Sequence, residues 1–273
     1  MENAKTKSLG PRLAVGFSLG GVFILSLIHP LALTSLIALA AFFGTAEITK
    51  VMRLAGWHVP SLARFFAVAI VYLTYFYGPS GQWLSLIVSL GLLVAWRIGY
   101  LLIFRVNQSL KQTLRDFGGT AFTLVYIPLL LSFAVRLMES DNGTAWVFGL
   151  VLTVVMIDSF GYLIGRFFGK TKFAPGISPK KTWEGFAASA AGGLLGGQII
   201  AVLTESSWMF GLLFGITILI SSVMGDLSES LIKRDLNVKD MGDVLPGHGG
   251  VLDRIDSLLP SSFVGYLVST LAF

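Results

Sequence analysis

Apolar residues run through this chain in long unbroken stretches, not in alternation. Nine stretches approach the ~20 apolar residues that a helix needs to cross a bilayer, at about 12–29, 31–47, 62–78, 82–104, 119–137, 145–165, 186–203, 208–226 and 257–273. Their continuity favours helices over the roughly ten-residue alternating strands of a membrane barrel. The pattern predicts an all-α polytopic membrane protein of about nine transmembrane helices. Residues 1–140 hold about five of them and no chemical motif. Residues 141–273 hold the rest, with their polar residues gathered in two loops, 166–185 and 227–256. His29-Pro30 divides the first two stretches, which read as a tight helical hairpin or as one interrupted element. Trp83, Trp146, Trp183 and Trp208 fall near span starts, where amphipathic rings sit at a membrane interface.

Composition agrees with that pattern. Of the 273 residues, 54% are hydrophobic and 13% charged, against about 25% charged in soluble domains. Such a chain is neither a soluble globular protein nor a disordered one. There is no cysteine, which excludes disulfides, thiolate zinc sites and a cysteine nucleophile. Three histidines, His29, His58 and His248, are too few for a His-rich metal site.

A net charge of +5 on a soluble chain would suggest nucleic acid. Here its placement matters more, and it orients the chain in a membrane instead. With the spans alternating, one side collects Lys5, Lys7, Arg12, Lys50, Arg53, Arg64, Arg105, Lys111, Arg115, Arg166, Lys170, Lys172, Lys180, Lys181, Lys233, Arg234, Lys239 and Arg254. That is 18 of the 20 basic residues. Basic residues stay in the cytoplasm, so the N-terminus is expected inside and the C-terminus outside. Arg136 falls on the other side, and Arg97 lies within the fourth span, where it could snorkel to the interface and carries no assigned role. Gly192, Gly193, Gly196 and Gly197 form two overlapping GxxxG spacings, suited to close helix packing within or between subunits.

The chemistry is concentrated between Ser230 and Asp256, with Asp226 just upstream. Asp253 and Asp256 are three residues apart and share a face if they start a helix. Several carboxylates without thiols suit a hard cation, magnesium first. Gly249 and Gly250, beside His248, would let backbone amides approach anionic oxygens. Lys233, Arg234, Lys239 and Arg254 could neutralise phosphate. Together these are the parts of a metal–nucleotide site for phosphoryl-group chemistry; a solvated, orienting loop is the alternative reading. Asp158, one or two turns inside the sixth span, is a functional candidate because buried membrane carboxylates are costly. A transporter lined by Asp158 and Arg97 is a competing class, although no internal repeat is visible.

The Ser230–Asp256 segment, S-x-x-K-R-x4-K-D-x-G-x2-L-P-x-H-G-G-x-x-D-R-x-D, resembles the signature of the phosphatidate cytidylyltransferase (CDP-diacylglycerol synthase) family. Asp158-Ser159, Tyr162, Gly165-Arg166 and the block Ser178-Pro179-Lys180-Lys181-Thr182-Trp183-Glu184-Gly185 are similar to that family as well. The resemblance implies an enzyme of the bacterial inner (plasma) membrane, with its site facing the cytoplasm. It would convert CTP and phosphatidate to CDP-diacylglycerol and pyrophosphate. It implies Asp226, Asp253 and Asp256 as ligands of Mg2+ and of a second cation, K+ or another Mg2+. Lys233, Arg234 and Lys239 would hold CTP phosphates or pyrophosphate, with His248 donating to a phosphate oxygen or fixing its turn. Asp158, Ser178, Lys180, Lys181, Thr182, Glu184, Gly249, Gly250 and Arg254 would bind substrates. The lipid bilayer is the expected environment and a homodimer a compatible state. An enzyme using CTP on an isoprenoid lipid is the nearest rival.

Overall fold

A computed structural model describes residues 9–244 and 249–271, with side chains from residue 16 onward. His248, expected to touch phosphate, lies outside the described residues. In chain order the helices are α1 (Leu9–Ser26), α2 (Pro30–Leu54), α3 (Ala63–Ile103), α4 (Leu110–Leu124) and α5 (Leu130–Met138), the last two joined by a π-helical turn, Val125–Leu129. Then come α6 (Gly143–Phe168), strands β1 (Lys172–Ala174) and β2 (Ser178–Thr182), α7 (Trp183–Leu203), α8 (Trp208–Asp235), α9 (Leu252–Ile255) and α10 (Leu258–Ser269).

Local chemistry sets the boundaries. His29 caps α2 through Nδ1, which accepts the Leu31 amide at 3.1 Å, and Pro30 opens the helix. His29-Pro30 is therefore a junction between two separate helices. Ser109 and Gln112 form a capping box for α4. Pro128 lacks the N–H that an α-helix would use, and the chain widens there into the π turn.

Six helical stretches among the described residues are long and apolar enough to cross a membrane, counting α4 to α5 as one and α3 as another. The 41-residue α3 covers two of the expected spans. Gly78 breaks it, with φ 59° and ψ −141°, ahead of Pro79. Eight residues of straight helix would advance about 12 Å, yet a Cβ on Gly81 would lie 2.0 Å from the Leu73 carbonyl oxygen. The chain thus doubles back at Gly78 into two arms. The last expected span is shorter than the sequence suggested, a 12-residue α10.

The interior is mostly apolar but holds polar residues too, while large apolar side chains cover the outside. In the second arm of α3, Gln82, Ser85 and Ser89 are buried while Leu84, Ile87 and Val88 are exposed. Gln82 donates to Ser132 of α5 at 2.7 Å. Hydrocarbon outside requires internal partners for polar groups.

The α7 glycines place it tightly between α6 and α8. A Cβ at Gly192 or Gly196 would strike Met156 O at 2.7 Å or Thr153 Oγ1 at 2.6 Å, both on α6. At Gly193 or Gly197 it would strike Gly215 O at 3.0 Å or Gly211 O at 2.1 Å, both on α8. Both GxxxG spacings are thus used within the chain, which leaves a homodimer without that support.

Three local expectations change. Trp146 is fully buried against Phe210 and Phe214 and is a packing residue, unlike the exposed Trp83, Trp183 and Trp208. Arg97 does not snorkel: it is buried, and its guanidinium bonds Asp116 at 2.9 Å and Gln108 at 2.8 Å. The 166–185 loop contains a small antiparallel hairpin, turned at Pro175-Gly176, where the Ile177 amide donates to Ala174 O at 3.1 Å.

Candidate active site

A cavity of about 860 Å³ opens where α6, the hairpin, α7, α8 and α9 meet. That size suits a small-molecule site. Its walls carry six carboxylates, Asp158, Asp226, Glu229, Asp240, Asp253 and Asp256, and six cations, Arg166, Lys172, Lys180, Lys181, Lys233 and Arg254. Close approach of α6 to α7 shapes one wall. A Cβ at Gly161 would strike Ser189 Oγ at 2.2 Å, and one at Gly185 would strike Gly161 O at 2.9 Å. The glycines of the Gly165 and Gly185 motifs thus let two helices touch beside the cavity.

The separate sequence blocks converge here. Lys181, from β2, lies 2.7 Å from Asp226 Oδ2 on α8. Ser230, one turn on, donates to Asp226 Oδ1 at 3.4 Å. Lys233 pairs with Glu229 on its own helix and with Asp253 Oδ1 at 2.9 Å. Asp253 Oδ2 accepts the amides of Gly250 at 2.8 Å and Met241 at 3.0 Å. Burial alone would raise the Asp253 carboxyl, but the bond from Lys233 and the two amides outweigh it and hold the group below the ordinary carboxylate range. Asp256 accepts the Ser257 amide at 2.8 Å. Burial, then the charge of Asp226, push its carboxyl up to about 6. Asp158 accepts from Ser222 and Ser257, each at 3.5 Å.

Other expected residues sit differently. Ser178, Lys180 and Arg254 line the cavity. Thr182 also lines the cavity, but it is buried and its hydroxyl caps α7 by accepting the Gly185 amide at 3.2 Å. Glu184 accepts the Lys170 and Thr171 amides at 3.1 Å, closing the base of the hairpin. Arg234 is exposed and reaches Ile177 O at 3.4 Å, and Lys239 is exposed; neither lines the cavity. Gly249 takes φ +84°, a conformation that favours glycine.

Two acidic residues were missed. Glu229 is fully buried, and its Oε1 has no hydrogen-bond partner. Its place on the face shared by Asp226 and Lys233 was the available signal. Glu47, on α2, accepts the Val251 amide at 2.9 Å and the Leu252 amide at 2.8 Å. A glutamate inside an apolar span was its signal, passed over because that half carries no motif.

The donor set fits a hard divalent cation. Six carboxylates crowd its walls, and one oxygen of the buried Glu229 has no hydrogen-bond partner. Among the described residues no three acidic or histidine side chains already stand as a ligand cluster. Lys181 and Lys233 neutralise Asp226 and Asp253 instead.

Comparison with known proteins places this arrangement. The model of the cytidylyltransferase family matches residues 11–272. This chain belongs to the cytidylyltransferase family. A phosphatidate cytidylyltransferase of Mycobacterium bovis is 35% identical over 279 residues, covering 97% of this chain and 89% of the relative. One of Mycobacterium leprae is 34% identical over 285 residues, covering 97% and 88%. One of Bacillus subtilis is 35% identical over 162 residues, covering 58% and 60%. The family match reaches well into the N-terminal half and includes Glu47.

Proposed function

We propose that this cytidylyltransferase family member transfers the cytidylyl group of CTP to phosphatidate, giving CDP-diacylglycerol and pyrophosphate. The observation that carries the reading is the Lys181–Asp226 pair. It joins the Ser-Pro-Lys-Lys block to the acidic signature across one cavity at the end of apolar helices. The kinship with phosphatidate cytidylyltransferases supports the substrates.

A phosphatidate oxygen attacks the α-phosphorus of CTP. A new P–O bond forms, the bond from the α-phosphorus to the bridging oxygen breaks, and pyrophosphate leaves. The lipid phosphate is already an anion near neutral pH, so no strong base is required. The difficulty is bringing two polyanions together, which calls for positioning and charge neutralisation. Lys233, with Arg254 on the cavity wall, holds CTP phosphates, and Lys180 and Lys181 hold the lipid phosphate. Lys181 and Lys233, which neutralise carboxylates here, turn to those phosphates when the substrates enter. Asp226, Asp253 and Asp256 would hold magnesium. Asp253 uses Oδ2 to order its loop, leaving Oδ1, now shared with Lys233, for the cation. Magnesium bound there would supply charge stabilisation for the reacting phosphates.

The cavity faces the cytoplasm in a nine-span arrangement with the N-terminus inside, in a bacterial plasma membrane. The two arms of α3, together with α1 and α10, bring the crossings to nine. Arg136 supports the alternation: its Nη1 would lie 3.2 Å from a Cβ on Gly78, the turn assigned to the outer side.

The test is pyrophosphate release by purified protein in detergent micelles, with CTP and magnesium, with and without phosphatidate. Release that requires phosphatidate and yields a CDP-lipid supports the reading. Folded protein that binds CTP but ignores phosphatidate would redirect the search to another lipid acceptor.

A further inference from the structure

Glu47 stands out because it joins the motif-free half of the chain to the site. It lies on α2 and is 4% exposed. Its two carboxylate oxygens accept consecutive amides, Val251 and Leu252, 204 and 205 residues away. The preceding amide, Gly250, goes to Asp253. Three successive N–H groups at the entrance to α9 are thus divided between two carboxylates. Two signature glycines are explained by the same contact. A Cβ at Gly242 would lie 2.4 Å from Glu47 Oε1, and one at Gly250 would lie 2.6 Å from Oε2. Both glycines make room for the Glu47 carboxylate; for Gly250 the sequence suggested room for phosphate.

The consequence reaches the site through short covalent distances. Leu252 is followed at once by Asp253, and Asp256 closes the same short helix. With α9 only four residues long, its own hydrogen bonding holds its orientation weakly. We infer that Glu47 is a positioning residue that docks the 249–252 turn onto α2 and so aims Asp253 and Asp256 into the cavity. It touches no reacting atom. Its effect on turnover rests on the proposed reaction; its effect on the turn does not.

Glu47→Gln keeps the side-chain volume but replaces one acceptor with a donor that faces an N–H. Leaving a buried donor unsatisfied shifts a docking equilibrium by about tenfold to a hundredfold. In full-length protein in micelles, hydrogen exchange in a peptide covering 249–256 should accelerate by about tenfold or more, with α6 to α8 unchanged. With CTP and phosphatidate, kcat should fall by about tenfold or more while KM for CTP stays within about threefold.

Val251→Pro supplies a second arm. Val251 already has φ −65°, which proline adopts, and the substitution removes one of the two N–H donors. Added to Glu47→Gln, it removes the one N–H that the new amide group would face, while the remaining carbonyl oxygen still accepts the Leu252 amide, so the double variant should be less impaired than the product of the single effects. General destabilisation would not give that rescue. Wild-type exchange in 249–256 for Glu47→Gln, or multiplicative losses in the double variant, would overturn the proposal. If wild-type protein fails to use phosphatidate, the proposed reaction falls, and the exchange comparison still decides the role of Glu47.

Discussion

Lys233 Nζ lies 2.9 Å from Asp253 Oδ1, so α8 and the first turn of α9 are tied by an ion pair within the cavity wall. Glu229, one turn earlier on α8, holds the same ammonium. Three elements of charge therefore depend on one another, and removing one leaves its partners uncompensated.

Asp253→Asn keeps the size of the side chain but removes its charge and one acceptor oxygen. Cytidylyl transfer should fall at least about a hundredfold, because the ion pair, the loop amides and the proposed cation are all affected. Elution from gel filtration should be unchanged. Near-wild-type turnover in the purified variant would remove Asp253 from the site.

Lys181→Ala frees Asp226 of its cation and removes a positive charge from the proposed lipid-phosphate side. The expected result is a rise of about tenfold or more in KM for phosphatidate, with magnesium dependence largely retained. Unchanged kinetics for both lipid and CTP would make Lys181 an interfacial residue only.

Burial and the nearby charge of Asp226 push the Asp256 carboxyl up to about 6. Its raised value means that the neutral form is favoured in the metal-free fold. Its stabilising contribution is present at low pH and lost as pH rises through about 6. A divalent cation held by Asp256, as proposed, would compete with that proton for the same oxygens. Apparent magnesium affinity, read from pyrophosphate release, should therefore strengthen between pH 5.5 and 7.5, about half a decade to a decade in all. In EDTA the melting temperature should move the opposite way, higher at the acidic end. Asp256→Asn should reduce the melting shift; a shift of wild-type size in that variant would assign it to another group.

Arg97 and Asp116 form a buried pair on the proposed cytoplasmic side, away from the cavity, with side chains 5% and 0% exposed. Asp116 also accepts the His58 amide at 2.9 Å, which fixes the loop between α2 and α3. Arg97→Ala would leave a buried carboxylate without its cation and should cost about 3–5 kcal/mol. Arg97→Met with Asp116→Leu should recover part of that loss. Thermal melts in a fixed detergent measure both. Equal destabilisation by the double and single variants would mean that the loop contacts of Asp116 matter more than the ion pair.

Much of this protein was legible in its sequence because the signals were local. Apolar runs of bilayer length marked the spans, and the two expected around Gly78 are the two arms of α3. The charge of Asp226, Lys233, Asp253 and Asp256, packed between spans, marked the site's chemistry, and all four line one cavity. Residue type and spacing are sufficient for such conclusions, since helix geometry and donor chemistry follow from them directly.

Other properties depended on which surfaces meet. The spacing of Gly192 to Gly197 allowed contact within or between subunits, and only the packing of α6 and α8 against them decided it. Thr182 and Glu184 carry polar groups that suit a substrate, yet the nearest unsatisfied donors are backbone amides at the start of α7 and the base of the hairpin. Arg97 looked free to reach the interface until folding placed Asp116 beside it. Glu47 is the extreme case, because its partners lie more than 200 residues away. A buried carboxylate must find donors, so the sequence required that Glu47 have partners. Only the three-dimensional arrangement made those partners the amides that lead into Asp253.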